Sequence, residues 1–151
     1  MSGCGGMLMV SASLSENYKI RYMYTADFLS GIVSLFDVEG TVKEVSPLGP
    51  GFINDTFVVS MADSDVRYIL QRKNHNIFPD VPGMMNNIVM VSDHIKSKVQ
   101  TAGGDPMREA MTIVRRKAES LSEDERNCAY PDLYYKDADG NFWAMCLFIE
   151  G

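Results

Sequence analysis

Residues 41–74 read TVKEVSPLGPGFINDTFVVSMADSDVRYILQRKN. The alternating segment 41–46 predicts a strand. It passes through Pro47-Leu48-Gly49-Pro50-Gly51 and Phe52-Ile53-Asn54-Asp55 into two runs, 56–61 and 66–72, that are rich in Val, Phe, Tyr and Ile and are the clearest strand signals in the chain. Polar residues 62–65 form the turn between them. Strand, glycine-bearing turn, strand, turn, and a strand ending on Gln71-Arg72-Lys73 is an arrangement able to lid an anion. Main-chain N–H groups approach an anion closely only where no Cβ intervenes. An ordinary hairpin would use the same glycines, so this pattern alone leaves both readings open.

Outward from this stretch, residues 17–38 read as a helix, with Phe28, Ile32, Leu35 and Phe36 at helical spacing, Thr25 or Asp27 as cap and Gly40 as terminator. Residues 74–82 form a loop with two prolines. Residues 81–100 predict a second helix with Met84, Ile88, Val91, Ile95 and Val99 on one stripe, stopped by Gly103-Gly104. A fourth strand is expected within 109–117, then a polar, acidic loop or short helix at 118–131. Residues 133–136 and 141–149 predict a hairpin across Asp137-Ala138-Asp139-Gly140. Its second arm, 142–149, is apolar on both faces, which predicts a central buried strand. The expected fold is α+β: a mostly antiparallel sheet of about five strands with a packed helix and an N-terminal helix.

The 151 residues suit one domain, with 46% hydrophobic and 23% charged residues. A net charge of −6 argues against a nucleic-acid binder, which needs clustered Lys and Arg. Arg115-Arg116-Lys117 reads as a solvated strand end. The three cysteines, Cys4, Cys128 and Cys146, lack metal spacing and fit a reducing cytoplasm, with Cys146 expected as a buried core thiol. Residues 1–13 are expected to be a disordered or tag-like start; they lack a secretory pattern, and no segment approaches the ~20 apolar residues of a membrane helix. His75 and His94 have no ligand pattern. Asp137-x-Asp139-Gly140 lacks the remaining ligands of a calcium loop, so no metal site is expected. The eleven methionines read as adaptable core filler.

The words Gly49-Pro50-Gly51-Phe52-Ile53-Asn54-Asp55-Thr56-Phe57 and Tyr68-Ile69-Leu70-Gln71-Arg72-Lys73-Asn74, followed by Met85-Asn86-Asn87-Ile88 and Tyr135-Lys136-Asp137-Ala138-Asp139-Gly140-Asn141-Phe142-Trp143, resemble the N-terminal lobe of the aminoglycoside phosphotransferase superfamily. Within it they are most similar to the N-acetylhexosamine 1-kinases and related bacterial sugar kinases. The resemblance covers residues 28 to 151, and four motifs in order are more specific than any one.

The resemblance implies a kinase-like nucleotide-binding lobe, with ATP as nucleotide. Gly49 and Gly51 would let the turn fold over the phosphates, braced by Asn54. Gln71 by register, or Arg72 by its permanent bidentate charge, would reach them from the third strand, and Arg72 is slightly favoured. Asn87 would either link the second helix to that strand or hydrate the helix surface. Backbone groups of Phe148, Ile149 and Glu150 would meet the adenine edge, walled by Ile69, Leu48 and Met145 or Leu147. The family's His-Gly-Asp catalytic loop, its Mg ligands and its sugar contacts belong to a second lobe that this sequence does not contain. The chain alone is therefore expected to bind nucleotide weakly and to catalyse nothing. The competing expectation is a non-catalytic module that forms a homodimer through an exposed lobe face or a sheet edge.

Overall fold

The computed structural model describes residues 24–48, 55–73 and 79–149. Thr25 caps helix α1 (Ala26–Val33), its hydroxyl accepting from Phe28 N at 2.9 Å. Strands β1 (Val42–Pro47), β2 (Asp55–Met61) and β3 (Arg67–Lys73) follow as an antiparallel meander. Asp80 caps the long helix α2 (Val81–Thr101), and Pro82 lies in its first turn, where a missing N–H costs nothing. Then come the short helix α3 (Pro106–Glu109), strand β4 (Ile113–Val114), the single-turn helix α4 (Glu123–Arg126), strand β5 (Tyr135–Lys136) and strand β6 (Phe142–Leu147). The fold is α+β, and its six-stranded sheet is antiparallel throughout. Its order is β1-β2-β3-β6-β4, with β5 also paired to β6.

The two-residue period of a strand sorts side chains onto two faces, and a different helix covers each. On one face Phe57, Val59, Tyr68, Leu70, Trp143 and Met145 pack against Leu29, Ile32 and Val33 of α1 and against Phe36. Trp143 is fully buried, with Tyr24, Phe28 and Phe57 around its ring at centroid distances of 5.0, 6.1 and 6.2 Å. On the other face Ala144, with Phe142 and Ile113 beside it, meets Val81 and Met85 of α2 together with Leu133 and Tyr134. Strand β6 is buried on both sides, as its unbroken apolar run predicts. Each large side chain removed from water in these layers contributes about 1.5–3 kcal/mol.

Several expectations are corrected. The described helix covers Ala26–Val33 only; residues 17–23 of the longer expected helix, and the start at 1–13, lie outside the described residues. Its buried stripe includes Leu29 and Val33, whereas Phe28 is exposed at the helix surface. The fourth strand shrinks to Ile113–Val114, because Asp105 and Pro106 start a helical turn upstream and β6 offers pairing to only two residues. On α2, Val91 and Ile95 face solvent at 58% and 41% exposure, because the packed contact uses the first half of the helix. Arg116, read as part of a solvated cluster, is buried. Its guanidinium donates to Glu125 at 2.6 Å and to the Ser120 carbonyl at 2.8 Å, and lies over the Tyr135 ring. Residues 118–131 are thereby tied to the sheet edge, with Ser122 and Glu125 forming a reciprocal cap on α4.

Candidate functional site

The register of the meander decides what gathers at one end of the sheet. β1 ends at Pro47 opposite Phe57, the Leu48 amide still donates to the Thr56 carbonyl at 2.9 Å, and β2 begins at Asp55 opposite Arg72. The connection between β1 and β2 therefore leaves the sheet beside Gln71, Arg72 and Lys73. Gly49, Gly51 and Asn54 belong to that connection and lie outside the described residues.

At this end, neighbouring residues of β3 go to opposite faces. Arg72 pairs across the ladder with Trp143, placing it on the α1 side. There its Nε donates to the Asp55 carboxylate at 2.8 Å and its Nη1 to Asn141 at 3.4 Å. Gln71 pairs with Ala144 and Lys73 with Phe142, both on the α2 side. The favoured Arg72 is thus a bridge between β2, β3 and the final hairpin, on the face away from α2. The Gln71 amide donates to Thr56 Oγ1 at 3.2 Å, and its oxygen accepts from Lys73 Nζ at 2.7 Å. Burial pulls the Lys73 ammonium below the ordinary lysine range, countered by the nearby Cys146 sulfur. The same burial pushes the Cys146 thiol up, with Lys73 acting the other way. Cys146 is half-buried and shares the α2-side face with Ile69 and Ile113, rather than standing in the inner core as expected.

This produces a chemical expectation. Cys128 is exposed and Cys146 is half-buried with a raised pKa. The thiolate is the reactive form. Iodoacetamide at pH 7.5, followed by peptide mass spectrometry, should therefore alkylate Cys128 at least about tenfold faster than Cys146. Equal rates would contradict the burial of the Cys146 face.

The remaining expected residues separate. Among the described residues the Asn87 side chain, exposed on α2, makes no hydrogen bond, and that of Asn86 reaches only Met90 Sδ, at 3.5 Å. The expected amide link from α2 to Gln71 or Arg72 is not formed, because Thr56, Lys73, Asp55 and Asn141 already occupy those two side chains. Phe148 lies past the far end of β6. Its amide donates to the Arg67 carbonyl at 2.9 Å, which leaves that residue only a carbonyl to offer a ligand, and the Arg67 guanidinium covers its ring at 4.7 Å. Ile149 follows half-buried, and Glu150 lies outside the described residues. Of the expected apolar walls, Ile69 stands on the α2-side face opposite Val58. Met145 and Leu147 go to the α1 side, and Leu48 is exposed. Lys73 was not among the expected site residues, although strand alternation from Gln71 would have found it.

No protein-family model matches this chain. Whatever the site does must be argued from its geometry. Along β3 on the α2 side, an apolar pair, Val58 and Ile69, is followed toward the β1–β2 connection by an amide and an ammonium. Val58 and Ile69 are themselves buried, at 7% and 9% exposure. Among the described residues, no helix is long and apolar enough to cross a membrane. The Asp137 turn is unsuited to calcium on its own atoms, since its carboxylate already accepts from Asp139 N, Asn141 N, Asn141 Nδ2 and Trp143 Nε1.

Proposed function

We propose that this chain is the ATP-binding lobe of a phosphotransferase directed at a sugar hydroxyl, of the N-acetylhexosamine type suggested by its motifs. One observation carries the reading. The β1–β2 connection that holds Gly49 and Gly51 springs from the sheet beside the polar end of β3, on whose α2-side face Gln71 and Lys73 stand together. The adenine would lie along Val58 and Ile69, toward Phe148, and the phosphates would point at the glycine connection. The acceptor sugar, the catalytic base and the magnesium ligands would come from a second lobe, since the sequence has no His-Gly-Asp loop. Positioning and charge stabilisation need both halves, so the chain by itself would bind without turnover.

Titration calorimetry with Mg-ATP tests this. A single saturable site with Kd between about 10 μM and 1 mM, corresponding to roughly 4–7 kcal/mol, is the expected result. Gly51→Val should weaken it by closing the main-chain approach to the anion. An absence of heat up to millimolar nucleotide would sink the reading.

A second reading has its own observation. Met90, Val91 and Ile95 on α2 are exposed at 61%, 58% and 41%. Exposed apolar area of this kind drives association, and a second copy of this chain would cover it in a non-catalytic dimer. In that case sedimentation would show concentration-dependent dimers, abolished by Val91→Glu, with no nucleotide binding.

A further inference from the structure

We infer that the polar cavity between the second half of α2 and the segment at β4 binds a small tetrahedral oxyanion, either free phosphate or the phosphate group of a small monoester. Its occupant ties that half of the helix to the edge of the sheet. This site is separate from the polar end of β3 and stands without the nucleotide reading.

The inward stripe of α2 changes character along its length. Val81, Met85 and Val89 face the apolar layer in the first half. The helical period continues the stripe through Ser92 and Lys96. With Thr112 and Arg115 from the β4 segment, these two line a cavity of about 210 Å³, against which Val89 and Ile113 form an apolar wall. At about 30 Å³ for each water in the liquid, that is room for several waters or for one small oxyanion.

The groups around the cavity lack acceptors. Ser92 is only 8% exposed, yet its hydroxyl makes no hydrogen bond among the described residues. A serine inside a helix commonly satisfies itself on the carbonyl four positions back, and Ser92 leaves that of Ile88 alone. Its oxygen is not sealed off, so it opens to the cavity that Ser92 lines. Lys96 is half-buried and has no ion-pair partner among the described residues; Asp93, three positions earlier, lines the same cavity without pairing with it. The Arg115 guanidinium makes one hydrogen bond there, through Nη1 to Asp132 at 2.7 Å. The Thr112 hydroxyl has the Met107 thioether at 3.8 Å, a weak acceptor.

Two cations and two hydroxyls against one carboxylate leave a surplus of donors and of positive charge. A metal cation would find Asp93 alone, and an apolar ligand would strand the Ser92 hydroxyl at the cost of an unmade hydrogen bond. A phosphate accepts from all four donors, and charge-assisted bonds to lysine and arginine are the strong kind. Because the donors come from two elements, the anion bridges α2 to the β4 segment beyond the point where apolar packing ends.

The experiment titrates the full chain with inorganic phosphate and with glycerol phosphate at constant ionic strength, by calorimetry and by amide hydrogen exchange. A saturable site with a Kd of about 1 mM is expected, with slower exchange over residues 92–101 and 111–115. Lys96→Met should weaken binding at least about tenfold, and Ser92→Ala about fivefold. Asp93→Asn removes a like charge and should tighten it about threefold. Lys98→Met, which removes an exposed charge from the same helix, should change it by less than about twofold. The mild Ser92→Ala and Asp93→Asn keep the test sharp should Lys96→Met fail to fold. Whichever probe binds more tightly identifies the source of the phosphate group. General stabilisation by an excluded salt acts on every variant alike, so equal responses across the series would overturn the site. Binding that ignores Lys96, Ser92 and Asp93 would do the same, as would no heat from either probe up to about 20 mM.

Discussion

Asp137→Ala should destabilise the protein by about 3–4 kcal/mol, lowering Tm by about 6–16 °C. One carboxylate holds the final hairpin closed. Oδ1 accepts from the amides of Asp139 and Asn141, both at 2.9 Å, and Oδ2 accepts from Asn141 Nδ2 at 3.3 Å and Trp143 Nε1 at 2.9 Å. Gly140, at φ +88, completes the turn in a left-handed conformation that strains other residues. Water can replace the acceptor for the two turn amides but not for the indole of Trp143, which is fully buried. An unsatisfied buried donor costs about 1–3 kcal/mol by itself, and bonds to a charged acceptor exceed neutral ones. Asp137→Asn keeps one acceptor oxygen and should lose about half as much. Trp143 is the chain's single tryptophan, so urea unfolding followed by its fluorescence reads the loss directly. A change below about 1 kcal/mol for Asp137→Ala would show that the carboxylate is not the staple of this hairpin.

The second large effect has an order opposite to the one that burial alone suggests. Glu125→Ala should cost about 3 kcal/mol, more than Arg116→Met, although Arg116 is the buried member of the pair with 1% of its side chain exposed against 29% for Glu125. Removing Glu125 leaves a guanidinium inside the protein with, among the described residues, the Ser120 carbonyl as its remaining hydrogen-bond acceptor and no partner for its Nε. It also removes the acceptor for the Ser122 amide, at 2.9 Å, which caps α4. Removing Arg116 instead leaves a carboxylate that can turn to water, and a methionine that fills the space. Arg116→Met should therefore cost roughly 1–2 kcal/mol. Calorimetric Tm values that rank the two substitutions the other way would refute this account.

The same pair carries a pH signature. The hydrogen bond from Arg116 is the largest cause holding the Glu125 carboxyl below its ordinary value of 4.5, opposed by partial burial and aided by the Ser122 amide. A folded pKa below the unfolded one contributes stability that is complete above the ordinary value and is lost as pH falls through the folded one. Unfolding free energy should thus drop more steeply below pH 4.5 in the unsubstituted chain than in Glu125→Gln.

How much of this was legible beforehand depends on whether a feature is local. Alternation and β-branched content placed β2 and β3 to within a residue or two, and the doubly apolar run placed β6 at the centre. Of the two helix starts, Thr25 was foreseen only as an alternative to Asp27, and Asp80 was not foreseen. β4 was overdrawn because a strand's length depends on how far its partner extends, and β6 pairs with only two of its residues. Arg116 was misread because its partner lies nine residues away across a turn. At the candidate site, the glycine connection and the polar end of β3 were recognisable as words. Which of Gln71, Arg72 and Lys73 shares a face with α2 was not.

From residues alone come the alternating strands, the hairpin turn at Asp137–Gly140, the helical spacing of α2 and the acidic charge balance. Each follows from a periodicity or composition confined to a few neighbouring positions. The tertiary structure alone assigned the faces. α1 closes over Trp143 on the face that carries Arg72, and α2 packs against Ala144 on the face that carries Gln71 and Lys73. A strand's two-residue period says that neighbours part company, but only the helices packed against the sheet determine which neighbour lies on which covered face.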